Sequence, residues 1–598
     1  MREFSVPPVV TVGDAANLTD PVWDNAAAAP DFVQFVRPTP GGGWADVTCR
    51  QFRDEVIALA RGLVAAGIQP GDRVGLMSRT RYEWTLVDYA IWAAGAVSVP
   101  VYETSSAEQV AWILSDSGAV ACVVETGAHA LAVAGIRADL PGLAQVWTIE
   151  TGDLDALLAR GATVDPGEID TRRRDVRSGD LATIIYTSGT TGRPKGCALT
   201  HRNMYSDIFN AIPVLPNLFH EGASTLLFLP LAHSFARLIQ IGVVGARVTM
   251  LHLSDTKQLV DELQRFRPTF VLSVPRVFEK VYNGAVRKAQ AEGKGSIFAR
   301  AEQVAVAYSE ALDTPSGPGW RLRLQHRVLD RLVYRKLRAA LGGRCGAAIS
   351  GGAPLGARLG HFFRGVGIAI QEGYGLTETS PAVAANLPGA TRIGTVGRPL
   401  PGVTIRVADD GEVLIKGDVV FQGYWNNPDA SAEVLRDDWF YTGDLGQLDP
   451  DGYLTITGRK KEIIVTAGGK NVAPAVLEDR IRAHPLISQC VVVGDRRPYI
   501  AALVTIDEEA WPAWLDGHGH PAGTAVADLR EDPQLRAEIE ASIDEANKTV
   551  SKAETIKKFR ILPADFTEAS GELTPSLKVK RNVVQKTCAE EISAIYES

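Results

Sequence analysis

The sequence predicts an α/β protein. A large N-terminal domain of parallel-type sheets with helices carries a small β-barrel, and a smaller, mobile α+β C-terminal domain follows. Three observations predict this. At 598 residues the chain is too long for one core. Several apolar runs of strand length end in Gly- or Pro-bearing loops, with helical patterns between them. The texture also shifts twice: near residue 394 to short β segments with turns, and near residue 458 to a polar stretch followed by a mixed module.

The N-terminal elements follow in order. Helical spacing covers 107–115 and 256–266. The run 182–186 leads into Thr187-Ser188-Gly189-Thr190-Thr191-Gly192-Arg193-Pro194-Lys195, and 226–229 into Pro230-Leu231-Ala232-His233. The run 270–274 leads into Pro275-Arg276, 347–350 into Gly351-Gly352-Ala353-Pro354, and 367–371 into Glu372-Gly373-Tyr374-Gly375-Leu376-Thr377-Glu378. Ligands of parallel sheets gather outside the carboxyl ends of the strands, so these five loops are expected to meet at one crevice. Pro401-Gly402 and Asp409-Asp410-Gly411 punctuate a β-rich subdomain at about 394–450. Residues 1–457 then form the N-terminal domain, 458–461 a hinge, and 462–598 the C-terminal domain, with strands expected at 462–466, 489–493 and 500–506.

Composition narrows the function. Hydrophobic residues make up 45% of the chain, as in ordinary globular proteins. A formal net charge of −8 argues against a dedicated nucleic-acid binder. The six cysteines are scattered without a C-x-x-C pair, which suits free thiols rather than disulfides or zinc. The N-terminus has no apolar signal core, and no uninterrupted apolar stretch approaches the roughly eighteen residues of a membrane span. A cytoplasmic protein, at most peripheral at the inner face of a membrane, is expected.

The loop after 182–186 carries the strongest chemical signal. Gly189 and Gly192 let backbone amides approach an anion, and hydroxyls and the Lys195 ammonium add donors. A polyphosphate needs that set. It is not a Walker loop, because Arg193 and Pro194 separate Gly192 from Lys195. It resembles the phosphate loop of the adenylate-forming superfamily, and motifs in the same order extend the resemblance from roughly residue 45 to the C-terminus.

That resemblance implies roles for individual residues. Thr187, Ser188, Gly189, Thr190, Thr191, Gly192 and Lys195 would bind ATP phosphates, with Thr190 also catalytic. Gly352, Ala353 and Pro354 would wall the adenine pocket beside Glu372, Gly373 and Gly375. Tyr374 would stack on adenine, Thr377 would touch the α-phosphate and Glu378 would bind Mg²⁺. Asp444, in Tyr441-Thr442-Gly443-Asp444, would accept the ribose hydroxyls, and Arg459 would contact ribose or the α-phosphate. Lys461 would be the hinge, and Gly468-Gly469-Lys470 would face coenzyme A after rotation. Lys578, in Leu573-Thr574-Pro575-Ser576-Leu577-Lys578, would catalyse adenylation, and His233 would line the acyl entrance. Some bacterial long-chain members carry a gating tryptophan four residues beyond this histidine; here that position is Arg237.

The implied activity is ATP- and Mg²⁺-dependent activation of a long-chain fatty acid through an acyl-adenylate, then transfer to coenzyme A. The L-T-P-S-L-K-V-K-R ending and an insertion after Lys280 support long chains. Delivery to a carrier protein and nucleotide-gated acyl binding without turnover are the alternatives. Within the insertion, 321–340 holds seven Arg/Lys and one acid, Asp330. At helical spacing Leu322, Leu329, Leu332, Val333 and Leu337 fall largely on one side, which fits either a packed surface helix or a weak membrane contact.

Overall fold

The computed structural model describes residues 3–39, 41–187, 193–574 and 578–597. Two large sheets dominate its first three quarters. In one, Ala369–Gly375, Ala347–Ser350, Phe270–Ser273, Ser224–Leu227, Thr249–His252 and Val33–Pro38 run parallel, with antiparallel strands at both edges. Four of the five loops anticipated at the crevice therefore leave one sheet at its carboxyl ends. The fifth comes from a seven-stranded sheet, in which Leu181–Thr187 pairs parallel to Val97–Val101 and antiparallel to Lys195–Thr200. Central strands such as Phe270–Ser273 and Val97–Val101 are buried along their whole length, as expected where helices cover both faces.

Several boundaries differ from those read in the sequence. The strand before Tyr374 starts at Ala369 and runs through Gly375, because Gly373 and Tyr374 pair with Ala385 and Ala384. The helix expected at 256–266 opens as a 3₁₀ turn, Thr256–Gln258, before the α-helix Leu259–Phe266. The expected strand 462–466 shrinks to Ile464–Val465, because Lys460–Glu462 is a 3₁₀ turn. The β-rich part is a six-stranded antiparallel sheet whose named strands pair in an open path rather than a closed barrel. It recruits Glu3–Ser5 from the N-terminus against Thr404–Val407 and extends to Arg459. No local signal at Glu3–Ser5 announces a partner four hundred residues away.

The apolar clusters separate at the expected hinge. Two core clusters after it lie wholly between Ile464 and Ile595, around the three-stranded sheet Ile487–Val493, Ile500–Ile506 and Ile556–Ile561. The insertion forms helices Pro275–Ala291, Gly295–Leu312, Trp320–Leu329 and Arg335–Ala340, joined to the large sheet through helix Ala357–Val366. All six cysteines are free.

Candidate active site

The strands that flank the glycine-rich loop pair so that Thr187 sits opposite Lys195, bringing the two ends of the loop together. Ser188, Gly189, Thr190, Thr191 and Gly192 lie outside the described residues. The far end of the loop rests on helix Ala107–Ser117: Trp112 Nε1 donates to the Pro194 carbonyl at 2.8 Å, and the Arg193 guanidinium lies 4.8 Å from the Trp112 ring centre. Nothing in the spacing of residues 107–117 marks Trp112 for this contact.

Glu378 lies in the 3₁₀ turn Thr377–Thr379 at the end of the large sheet. The Tyr424 hydroxyl donates to its Oε1 at 2.9 Å, and the Lys195 ammonium lies 4.9 Å from the Tyr424 ring centre. Burial, followed by the Glu378 charge, pushes the Tyr424 phenol pKa upward, so it stays a neutral donor. Tyr424 thus ties the phosphate-loop lysine to the expected metal carboxylate, a positioning role that no sequence motif suggested. Glu378 Oε2 has no partner among the described residues. A single carboxylate with a free oxygen fits Mg²⁺, which commonly takes one or two carboxylates and completes its shell with water and substrate phosphates.

Tyr374 is anchored at its hydroxyl. Its hydroxyl donates to Asp444 Oδ2 at 2.7 Å, and Arg459 Nε approaches Asp444 Oδ1 at 3.1 Å. Asp444 is 3% exposed and receives a cation and a phenol at once. Gly375 has a steric reason: a Cβ there would fall 1.6 Å from the Pro381 carbonyl oxygen. Glu372 Oε1 accepts the Leu355 amide at 3.0 Å, linking the Tyr374 strand to the Gly352-Ala353-Pro354 loop. Burial lifts the Glu372 pKa to about 7 despite that hydrogen bond, and Asp479 beyond the hinge adds to the rise.

The Lys578 ammonium enters this crevice from the C-terminal part of the chain. A Cβ built on Gly352, whose φ is +82°, would lie 3.7 Å from Lys578 Nζ. Lys578 is exposed as a whole residue. At its ammonium, desolvation and the Arg459 cation lower the pKa, while Asp444 and Glu378 act the other way. His233 caps helix Ser234–Gly245, with Nδ1 accepting the Phe235 amide at 3.2 Å. Burial, then the Lys578 charge, lowers its pKa to about 3, leaving a neutral imidazole. Ser234 and Thr377 hydroxyls stand 3.2 Å apart, joining the His233 loop to the Glu378 loop.

Further pairs seat the C-terminal part in this position. Arg276 donates to Asp507 at 2.8 Å and to Ser488 at 3.3 Å, Lys280 pairs with Glu509 at 2.8 Å, and the Thr104 hydroxyl donates to Glu568. Lys460 reaches back to Asp410 and Glu412 at 2.6 and 2.8 Å, whereas the Lys461 side chain makes no such pair among the described residues. Gly468, Gly469 and Lys470 are exposed, and the Lys470 ammonium lies 3.7 Å from Glu554, within the same C-terminal part. The structure therefore brings Lys578, Lys195, Glu378, Asp444, Arg459 and His233 together and leaves the Gly468–Lys470 loop outside.

Arg237 lies in the core. It is fully buried, bidentate to Asp88, with Nη1 donating to Thr183 at 2.6 Å and its guanidinium 4.9 Å from the Trp92 ring centre. Burial lowers the Arg237 pKa and raises that of Asp88, and their mutual attraction opposes both shifts.

The described residues thus gather a carboxylate with a free oxygen (Glu378), a buried aspartate (Asp444), Arg459 and two lysines, one of them from beyond residue 461, at the ends of the parallel strands. The chain belongs to the AMP-binding enzyme family: the pattern of that family matches residues 22–425, and that of its C-terminal domain matches residues 461–598. It is similar to the long-chain-fatty-acid–CoA ligase FadD15 of Mycobacterium tuberculosis, at 56% identity across all of both chains. The fold matches the adenylation domain of a carboxylate reductase from Mycobacterium chelonae (TM-score 0.74, 22% identity, 98% of this chain and 92% of that one). It also matches the anthranilate CoA ligase AuaEII in complex with anthranoyl-AMP (TM-score 0.70, 20% identity, 97% and 99%). No helix among the described residues is long and apolar enough to cross a membrane.

Proposed function

We propose that the protein joins a long-chain fatty acid to coenzyme A, using ATP, with a fatty acid drawn from a lipid surface. The observation that carries this reading is the Lys578 ammonium seated against Gly352 and within electrostatic reach of both Asp444 and Glu378. In the first half-reaction the fatty carboxylate attacks the α-phosphorus of ATP and pyrophosphate leaves. An anion must approach an anion, so the barrier falls by positioning and charge neutralisation rather than by a protein nucleophile. Lys578 and Lys195 supply fixed positive charge. Asp444 and Arg459 hold the sugar end, and the neutral His233 borders the acyl side. When bound at Glu378, Mg²⁺ supplies further positive charge to the polyphosphate. In the second half-reaction the thiol of coenzyme A attacks the acyl carbonyl and AMP leaves.

The exposed Gly468–Lys470 loop supports a rotation between the steps about Lys461, whose side chain makes no ion pair among the described residues. Lys461→Pro fixes φ and removes a backbone donor there. The variant is expected to release pyrophosphate but to form little thioester; normal rates for both steps would remove Lys461 from the hinge role. Glu378→Ala is expected to lower Mg²⁺-dependent turnover by about 10²-fold or more while weakening nucleotide binding far less. Titrating ATP with and without Mg²⁺ checks this, and an unchanged magnesium dependence would move the metal elsewhere.

The function itself is tested by pyrophosphate release from ATP across fatty acids of increasing length, with and without coenzyme A. Release with palmitate and acyl-CoA formation on adding the thiol are expected. No release with any long-chain acid would end this reading.

A further inference from the structure

The Arg-rich segment of the insertion has two faces, and the structure reverses part of the sequence expectation for them. Leu329, Val333 and Leu337 do pack inward, against the cluster that contains Phe298, Phe362 and Phe363. The inward face is also pinned by polar contacts. His326 stacks on Tyr308 with ring centres 3.9 Å apart and bonds the Gly365 carbonyl at 2.7 Å, and the Tyr334 hydroxyl donates to the Ala301 carbonyl at 2.7 Å. Leu332, however, is 56% exposed, and it belongs to a second apolar row that helical spacing alone does not separate from the first. Trp320, Leu324 and Val328 complete this row at intervals of four, 71%, 55% and 50% exposed. A π-helical segment, Asp330–Tyr334, interrupts the helix where Leu332 sits.

Cations border this outer row. Arg321, Arg327, Arg331, Arg335 and Lys336 are exposed, and Arg321 stacks over the Trp320 ring at 5.2 Å. The sole acid, Asp330, is held by Arg335 at 3.3 Å and Arg338 at 2.7 Å, so it offers no negative charge to a partner. The rest of the chain is acidic, with a net charge of −8 over all 598 residues, which makes the local sign a feature of this helix rather than of the protein.

We infer that the row Trp320, Leu324, Val328 and Leu332 docks on the surface of a bilayer containing anionic lipid, with the flanking arginines at the headgroups. An apolar row lies at the boundary between headgroups and acyl chains, Trp prefers that depth, and Arg reaches outward from it. A second copy of the chain is the poorer occupant, because mating two such faces sets one row of cations against another. The inward contacts fix the helix, so the outer face is presented as a preformed platform. Its use rests on the proposed long-chain substrate, which partitions into membranes, but the docking itself does not depend on catalysis.

The test is co-sedimentation of the full-length protein with vesicles of phosphatidylcholine, alone or with phosphatidylglycerol, at low and high salt and without ATP or coenzyme A. Binding to the anionic vesicles at low salt and release at high salt are expected. Leu324→Ser/Val328→Ser/Leu332→Ser and Arg321→Gln/Arg327→Gln/Arg331→Gln should each weaken binding by about tenfold or more, given the strength of single interfacial contacts. Both variants should keep the wild-type urea unfolding midpoint, which shows that they fold. Trp320→Phe, a conservative change, should remove fluorescence quenching by brominated lipid. Absence of wild-type binding to anionic vesicles, or binding by both triple variants as strong as that of the wild type, overturns the inference. So does a wild-type dimer that the serine variant converts to monomer without any vesicle binding, since that gives the face to a second copy. Failure of the ligase reading would appear separately, as no pyrophosphate with any fatty acid.

Discussion

Lys578→Ala is expected to lose about 10²–10³-fold in the rate of adenylation, on the order of 2.7–4 kcal/mol, by analogy with deleting one preorganised donor to a developing charge. The loss should be selective. In this arrangement the Lys578 ammonium lies beside Gly352, where burial and Arg459 lower its pKa while Asp444 and Glu378 favour its charged form. In the proposed reaction this charge serves the approach of carboxylate to phosphate, so its removal should act on the first half-reaction. Thioester formation from supplied acyl-adenylate should proceed at close to the normal rate. Pyrophosphate release and acyl-CoA formation from the adenylate are measured separately, and equal damage to both would refute a role confined to one arrangement of the domains.

The second large effect concerns stability. Arg237→Met leaves Asp88 fully buried without its cation, and breaking one side of such a pair costs about 3–5 kcal/mol. Asp88→Asn combined with Arg237→Met removes both charges and is expected to recover much of that loss, because an apolar or neutral replacement of the whole pair is often close to neutral. A double-mutant cycle on urea unfolding midpoints measures the coupling. Additive losses would mean that the two groups do not act as a pair. Thr183, which receives the Arg237 Nη1 bond, lies on strand Leu181–Thr187, so the single variant should also disturb the phosphate loop that follows it.

Much of the site is legible because its chemistry is written in consecutive residues. Glycines, hydroxyls and Lys195 stand together, as do Tyr374, Thr377 and Glu378, so each group reads as a unit without knowing its neighbours in space. Tyr424 is different. Its partners Lys195 and Glu378 are 229 and 46 residues away, and its value lies entirely in standing between them. Trp112 carries no local mark for the same reason: its contact with Pro194 spans 82 residues. Arg237 was read against a gating residue at the same distance from His233, yet charge and position along a helix say nothing about whether Asp88 waits opposite. The row on 320–332 shows the complementary difficulty. Two apolar rows share one amphipathic pattern, and periodicity does not say which of them finds a partner.

By itself the sequence determined the α/β class and the loops that follow the parallel strands, since backbone geometry depends on near neighbours. Tertiary structure alone decided where Lys578 enters and that Glu3–Ser5 closes onto Thr404–Val407. It also decided that Arg237 is buried and that Trp320, Leu324, Val328 and Leu332 face outward. These are outcomes of which surfaces meet across hundreds of residues, and burial and electrostatic environment exist only once those surfaces have met.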